Sequence, residues 1–169
     1  MDTASSAGER TLYESASTIV RRSEWNGQPV IVKSLQPATL TGIGIARLHH
    51  EYQINQSLTS TRICRALAFN EFEHQIIFED RRCRALRDLI GHDQLSFDDR
   101  IDVAVGIAEA LQSIHEEGVI HRDVNPGNVV VGEDGLDVCL IDFGFATVAP
   151  REYPLQEAPD ALTGTLPYL

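Results

Sequence analysis

Apolar residues fall in short runs through the first half of the chain and take up a helical period in the second. Thr11 to Tyr13 and Ile19 to Arg22 read as two short strands around a turn. Asn26-Gly27 is a strong signal for a two-residue hairpin, and Gln28 to Leu35, with Val30-Ile31-Val32 inside it, reads as the next strand. Pro37 suits the opening of a helical region, and Thr41-Gly42-Ile43-Gly44 makes its start irregular. A helix then carries Ala46 to Ile54 and runs to about Leu58. Arg65 to Phe69 and Gln75 to Phe78 read as strands joined by an acidic turn at Asn70 to Glu73. The pattern predicts a five-strand antiparallel sheet with one helix, followed by mainly helical chain.

Glu79-Asp80 breaks the apolar run. Ala85 to Ile90 predicts a short helix and Phe97 to His115 a long one, in which Ile101, Ala104, Val105, Ala108, Leu111 and Ile114 recur at helical spacing and form the expected buried stripe. Ser96 can cap this helix, Asp98 and Asp99 suit the positive end of its first turn, and Gly118 suits its end. Two short apolar strands follow, Val129 to Val131 and Val138 to Ile141. The fold class is α+β.

With 169 residues and 43% hydrophobic content, the chain is long enough for one modest domain with a real core. Met1 to Arg10 is polar and small, without a signal-peptide pattern, and is expected to be a disordered lead-in. No apolar run approaches the ~18 residues of a membrane span. Cys64, Cys83 and Cys139 are odd in number and scattered, which points away from a disulfide framework and toward a reducing, cytoplasmic setting. The net charge of −11 argues against nucleic acid or an anionic membrane as partner.

The chemistry lies in His121-Arg122-Asp123-Val124-Asn125-Pro126-Gly127-Asn128 and Ile141-Asp142-Phe143-Gly144. Two carboxylates and an amide stand at fixed spacing, flanked by the apolar strands that would hold them at one end of a cleft. Phosphoryl transfer needs such a set: a carboxylate to orient a hydroxyl and oxygen ligands for Mg²⁺. Upstream, Lys33 is the single lysine among 14 Lys and Arg residues. Arg and Lys are not interchangeable at a compact phosphate site. Glu51, on the expected helix, can pair with it. Each residue alone has a bland reading: Lys33 a solvated strand end, Glu51 a surface carboxylate, His121 a packed scaffold residue. The order Lys33, Glu51, Asp123, Asn128, Asp142 is far more specific than any one of them.

These motifs resemble the catalytic and magnesium loops of eukaryotic-type serine/threonine protein kinases. The resemblance implies a bilobal protein-kinase-like fold, with the small lobe over residues 11–79 and the first part of the large lobe over 80–169. It implies ATP and Mg as cofactors and a protein as substrate. Asp123 would orient and deprotonate the acceptor hydroxyl, Asn128 and Asp142 would ligate Mg, and Lys33, fixed by Glu51, would hold the ATP phosphates. Phe78 would guard the adenine pocket, and the backbone at Glu79 and Arg81 would pair with the adenine edge. Ser15, Ala16, Ser17 and Val32 would complete the nucleotide contacts. Arg122 is placed to receive a phosphate from Thr147, Thr163 or Thr165, or carboxylates from Glu152, Glu157 or Asp160.

The family's glycine-rich loop is replaced by Tyr13-Glu14-Ser15-Ala16-Ser17-Thr18-Ile19-Val20, and Asn125 stands where a lysine is usual. Gly164-Thr165-Leu166-Pro167-Tyr168 resembles the end of an activation segment, and the family's large helices are expected beyond Leu169. The Leu-Tyr-Glu-Ser opening, Gln-Pro-Val-Ile-Val-Lys, Asn125-Pro126 and Gly-Thr-Leu-Pro-Tyr resemble the kinase-like domains at the N-terminus of large bacterial hybrid sensor histidine kinase/ATPase proteins. That likeness implies downstream signalling domains. Two other functions compete: a pseudokinase regulatory module, and a small-molecule phosphotransferase of similar fold.

Overall fold

In the computed structural model, residues 5–133 and 137–149 are described, residues 5–8 by their backbone alone. The chain divides into two compact units: Met1–Gln56 with Cys64–Arg81, and Ser57–Ile63 with the chain from Arg82 onward. The separation expected after Glu79 therefore falls after Arg81, and a short piece of the first half belongs with the second unit.

The first unit is a five-stranded sheet in the order β1-β2-β3-β5-β4, every neighbouring pair antiparallel. β1 is Ser5–Glu14, β2 Thr18–Trp25, β3 Gln28–Leu35, β4 Ala66–Asn70 and β5 Gln75–Glu79. Asn26 and Gly27 both take positive φ, 52° and 75°, and close the β2–β3 hairpin at the Trp25–Gln28 pair. β1 begins at Ser5, so much of the lead-in expected over residues 1–10 is strand. An edge strand is held by backbone hydrogen bonds, which polar side chains do not prevent. Pro37–Thr39 forms a 3-10 turn with Pro37 in its first turn, and α1 follows over Gly42–Ser57.

One face of the sheet carries the cluster Val30, Val32 and Ile77; Leu48 of α1 packs with Ala66 and Ile76 in a second cluster. Alternation along β3 explains the split: Val30, Val32 and Ser34 are buried, and Ile31, Lys33 and Leu35 project to the opposite side.

The second unit is built on α2 (Leu86–Gly91) and α3 (Phe97–Glu116). Ser96 and Asp99 form a reciprocal capping box at the start of α3, and Gly118 follows its end at φ 78°. The buried stripe is Val103, Gly106, Ala110 and Ile114. That differs from the stripe expected from sequence: only Ile114 is shared, and Ile101 and Val105 are each about half exposed. Gly106 decides the rotation of the helix, because a β-carbon there would lie 2.6 Å from Val138 Cγ2. The bare backbone lets α3 settle against the strand that follows.

Three short strand pairings complete the unit. β6 (Arg84–Ala85) pairs β8 (Val129–Val131), which pairs β9 (Val138–Leu140); β7 (Val119–Ile120) pairs β10 (Thr147–Val148). The Ser57–Ile63 segment joins here through an Ile63–Leu140 bridge and the Glu117 carboxylate, which accepts from the Thr59 and Ser60 amides at 2.7 and 2.8 Å. Among the described residues, no helix is long and apolar enough to cross a membrane.

Candidate active site

The loop 121–128 runs from β7 to β8, and the segment 141–146 runs from β9 to β10. Since β7 pairs β10 and β8 pairs β9, both stretches are clamped at both ends and lie side by side. The Ile141 amide donates to the Asn128 carbonyl (3.0 Å), extending the β8–β9 ladder by one step and placing Asp142 next to Asn128 along the chain pair. His121 ties the two segments from beneath. It is buried; its Nε2 donates to the Ile141 carbonyl (3.0 Å), and its Nδ1 accepts from the Asp123 amide (3.3 Å). A carbonyl can only accept and an amide can only donate, so the ring is the neutral Nε2-H tautomer. Phe143 packs on it, ring centroids 4.9 Å apart. The scaffold role expected for His121 is the one the contacts describe.

The polar groups of the loop are fixed by one another. Asn128 Nδ2 donates to the Asp123 carbonyl and to Asp123 Oδ2, both at 2.9 Å. That turns the amide's oxygen away from the clasp. Asn125 is spent within the loop, its Nδ2 donating to the Asp123 carbonyl (3.1 Å) and its Oδ1 accepting from Gly127 N (2.9 Å). Arg122 and Asp142 both sit in the left-handed region, at φ 64° and 63°. For residues with a β-carbon that conformation costs on the order of 1–2 kcal/mol, and such strain gathers where surrounding structure dictates a side chain's direction. Asp142 Oδ1 also accepts a long contact from Gly144 N (3.4 Å).

In the first unit, Lys33 Nζ donates to both carboxylate oxygens of Glu51, at 2.9 and 2.7 Å. The side chains are 12% and 3% exposed. Val32 does not join Lys33. It is enclosed with Val30 and Ile77, and Ile31 is the neighbour that shares Lys33's side of the strand. Phe78 packs partly buried against the Leu48–Ala66–Ile76 cluster. Glu79 is tied to Arg65 by both its amide and its carboxylate, each at 3.0 Å. Arg81 Nε stands 4.0 Å from Glu79 Oε1.

The glycine-free turn is built from hydroxyls. Ser15 Oγ accepts from the amides of Ser17 (3.3 Å) and Thr18 (3.1 Å). The Ser17 carbonyl accepts from Gln36 N (2.8 Å) and Thr39 Oγ1 (2.7 Å), and Gln36 Nε2 reaches Glu14 Oε1 (2.8 Å). Sequence reasoning missed this strap, and also the fork of Arg22 on Asp80 at 2.6 and 3.2 Å. Both join positions far apart in the chain, so no local signal announces them. Thr147 lies in β10, opposite Ile120. Thr163, Thr165, Glu152, Glu157, Asp160 and the Gly164–Tyr168 segment lie outside the described residues.

The donor set suits Mg²⁺. Asn128 and Asp142 offer hard oxygen ligands, and Mg²⁺ binds through one or two carboxylates completed by water and phosphate rather than an all-protein cage. No cluster of three His, Cys, Asp or Glu suited to a metal occurs among the described residues, which excludes a closed structural-metal site there but not this one.

A five-stranded antiparallel sheet with a lysine–glutamate pair, and a clamped loop carrying Asp123, Asn128 and Asp142, define a protein kinase fold. The family model of the protein kinase domain matches residues 14–169, and the chain belongs to that family. It is similar to the probable serine/threonine-protein kinase PknB of Bifidobacterium longum, 35% identical over 95 residues, covering 56% of this chain and 14% of that protein. It is 60% identical to the serine/threonine-protein kinase AfsK of Streptomyces coelicolor over 45 residues, 27% of this chain and 5% of that protein. Human serine/threonine-protein kinase PAK 4 is 32% identical over 93 residues, 55% of this chain and 15% of that protein. The matched stretches are thus a small part of each relative's length.

Proposed function

We propose that this chain carries out ATP-dependent phosphorylation of serine or threonine hydroxyls on a protein substrate. The observation that carries the reading is the Asp123–Asn128 clasp beside Asp142 at the end of the β8–β9 hairpin. Asp123 accepts a hydrogen bond from the acceptor hydroxyl and aims its oxygen at the γ-phosphorus. The new O–P bond forms as the bond from phosphorus to the β–γ bridging oxygen breaks, leaving ADP, and the hydroxyl proton passes to the Asp123 carboxylate. Asn128, through its amide oxygen, and the Asp142 carboxylate would hold Mg²⁺, which when bound would supply charge neutralisation at the phosphate oxygens. Lys33, fixed by Glu51, holds the other phosphates. Adenine is held by the backbone at Glu79 and Arg81 with Phe78 behind it; Ile31 replaces Val32 as the flanking side chain, and Ser15, Ala16 and Ser17 meet the phosphates.

The wider setting follows the sequence likeness: a cytoplasmic signalling protein of the bacterial hybrid sensor histidine kinase/ATPase kind, with this kinase domain acting alongside downstream signalling domains. Thermal unfolding with and without Mg·ATP tests the core of the reading. Ligand at about a hundred times Kd adds roughly 2.7 kcal/mol; the stabilisation should vanish in Asp142→Asn. Transfer of labelled γ-phosphate to protein, lost in Asp123→Ala, completes the test. A stabilisation unchanged in Asp142→Asn sinks the metal assignment.

A second reading has its own observation. Ser15 Oγ already occupies the Ser17 and Thr18 amides, which the nucleotide phosphates would otherwise take. A pseudokinase that binds partners without turnover fits that self-satisfied turn. Nucleotide binding without any transfer would favour it.

A further inference from the structure

The carboxylate that follows β5 is locked from across the sheet. Arg22 Nε and Nη2 donate to Asp80 Oδ2 and Oδ1 at 2.6 and 3.2 Å, a planar fork on both oxygens. The Asp80 side chain is 3% exposed and that of Arg22 35%, so the pair is shielded more than an ordinary surface bridge. Strand register shows where it lies. Arg22 stands opposite Ile31 of β3, Ile31 stands opposite Phe78 of β5, and Val20 stands opposite Lys33. Opposite residues share a face, so Arg22 lies on the face that carries Lys33 and reaches past β3 to the residue after β5. Arg21 stands opposite Val32, on the other face. The end of β5 is also held from the β4 side: the Glu79 amide donates to the Arg65 carbonyl, and the Glu79 carboxylate accepts from the Arg65 amide, each at 3.0 Å. Glu79 and Asp80 are thus fixed in succession, one from the start of β4 and the other from β2. All of these residues belong to the first unit.

Backbone groups held in one direction can tell two purines apart. Adenine presents a donor at its 6-position where guanine presents an acceptor. A fixed peptide satisfies one of them and opposes the other, whereas a peptide free to turn serves both. We propose that Arg22 is a positioning residue for the nucleotide base: its fork on Asp80 fixes the peptide groups from Glu79 to Arg81 and so makes the site select adenine over guanine. The proposal rests on the reading that the backbone at Glu79 and Arg81 holds adenine.

The test is calorimetric titration of the full chain with Mg·ATP, Mg·GTP and Mg·tripolyphosphate. The unaltered protein should prefer ATP to GTP. Arg22→Met should weaken ATP about tenfold, the loss of one well-aligned hydrogen bond, and narrow the ATP-to-GTP ratio. Its affinity for tripolyphosphate, which has no base, should not change. Arg22→Lys keeps the charge without the fork and should recover part of the ratio. Arg21→Met should match the unaltered protein; an equal narrowing there would trace the effect to general charge and overturn the proposal. Arg22→Met also leaves Asp80 buried without its cation, so Arg22→Met with Asp80→Leu removes both charges and restores the fold. Discrimination should stay lost in that double variant. A ratio unchanged in Arg22→Met, or returned to its full value in the double variant, overturns the proposal and leaves the fork a purely structural role. Absence of any ATP binding by the unaltered protein overturns the adenine reading itself, and the positioning role with it.

Discussion

The two units immobilise charged side chains by opposite means. In the sheet unit, Lys33 and Glu51 are withdrawn from water and neutralise each other between strand and helix. In the helical unit, Asp123, Asn128 and Asp142 stay partly exposed and are held by backbone hydrogen bonds, by the buried ring of His121 and by left-handed backbone at Asp142. A buried pair is part of the fold, so disturbing it costs stability. A half-exposed carboxylate on a clamped loop can be removed while the clamp survives. One substitution of similar size should therefore break folding in the first unit and chemistry in the second.

The largest expected effect sharpens that contrast. Asp123→Ala should lower turnover by about 10²–10⁴-fold and leave the unfolding midpoint nearly unchanged, measured by phosphate transfer and calorimetry on one preparation. A large fall in the midpoint would mean that Asp123 supports the loop as well as the reaction. Next comes Lys33→Met, which leaves Glu51 buried without its cation and should destabilise by about 3–5 kcal/mol. Removing both charges, as Lys33→Met with Glu51→Leu, should restore most of that stability but no nucleotide binding. By contrast, Arg62→Ala, which breaks an exposed pair with Glu109, should cost less than about 1 kcal/mol.

Packing gives the next test. Gly106→Ala drives a methyl into Val138 and should cost about 1–3 kcal/mol, whereas Gly42→Ala meets nothing within 4 Å and should be neutral or mildly stabilising. The smallest effect concerns the start of α3. The Ser96 hydroxyl and amide hold the Asp99 carboxyl below its ordinary range. A folded-state value below the unfolded one stabilises above the unfolded pKa, and the gain is lost as pH falls through the folded one. The midpoint should thus drop slightly more on acidification in the unaltered protein than in Asp99→Asn, and Ser96→Ala, which keeps the amide but loses the hydroxyl, should shrink the difference.

Much of this was legible in the chain. Strand β3, the Asn26-Gly27 hairpin, α1, the five-stranded sheet and the capped α3 follow from local pattern and turn chemistry, which act over a few residues. The order of Lys33, Glu51, Asp123, Asn128 and Asp142 carried the resemblance to protein kinases, because each residue type suits one task in the proposed reaction. The buried face of α3 was misread: Ile101 and Val105 are as apolar as Val103, and only the fit of Gly106 against Val138 chooses between the stripes. Val32 against Ile31 is a different case: the two-residue alternation of a strand by itself sets Ile31, not Val32, on the side of Lys33.

The sequence by itself thus determined the elements, their order and the residue types that phosphoryl transfer requires, because propensity, capping and side-chain chemistry are local. The tertiary structure alone decided which helix face is covered, that Ser15, Gln36 and Thr39 lock the glycine-free turn, and that Asp80 is held by Arg22. Each of these depends on groups distant in the chain meeting within hydrogen-bonding or packing distance, and spacing along a sequence carries no measure of that.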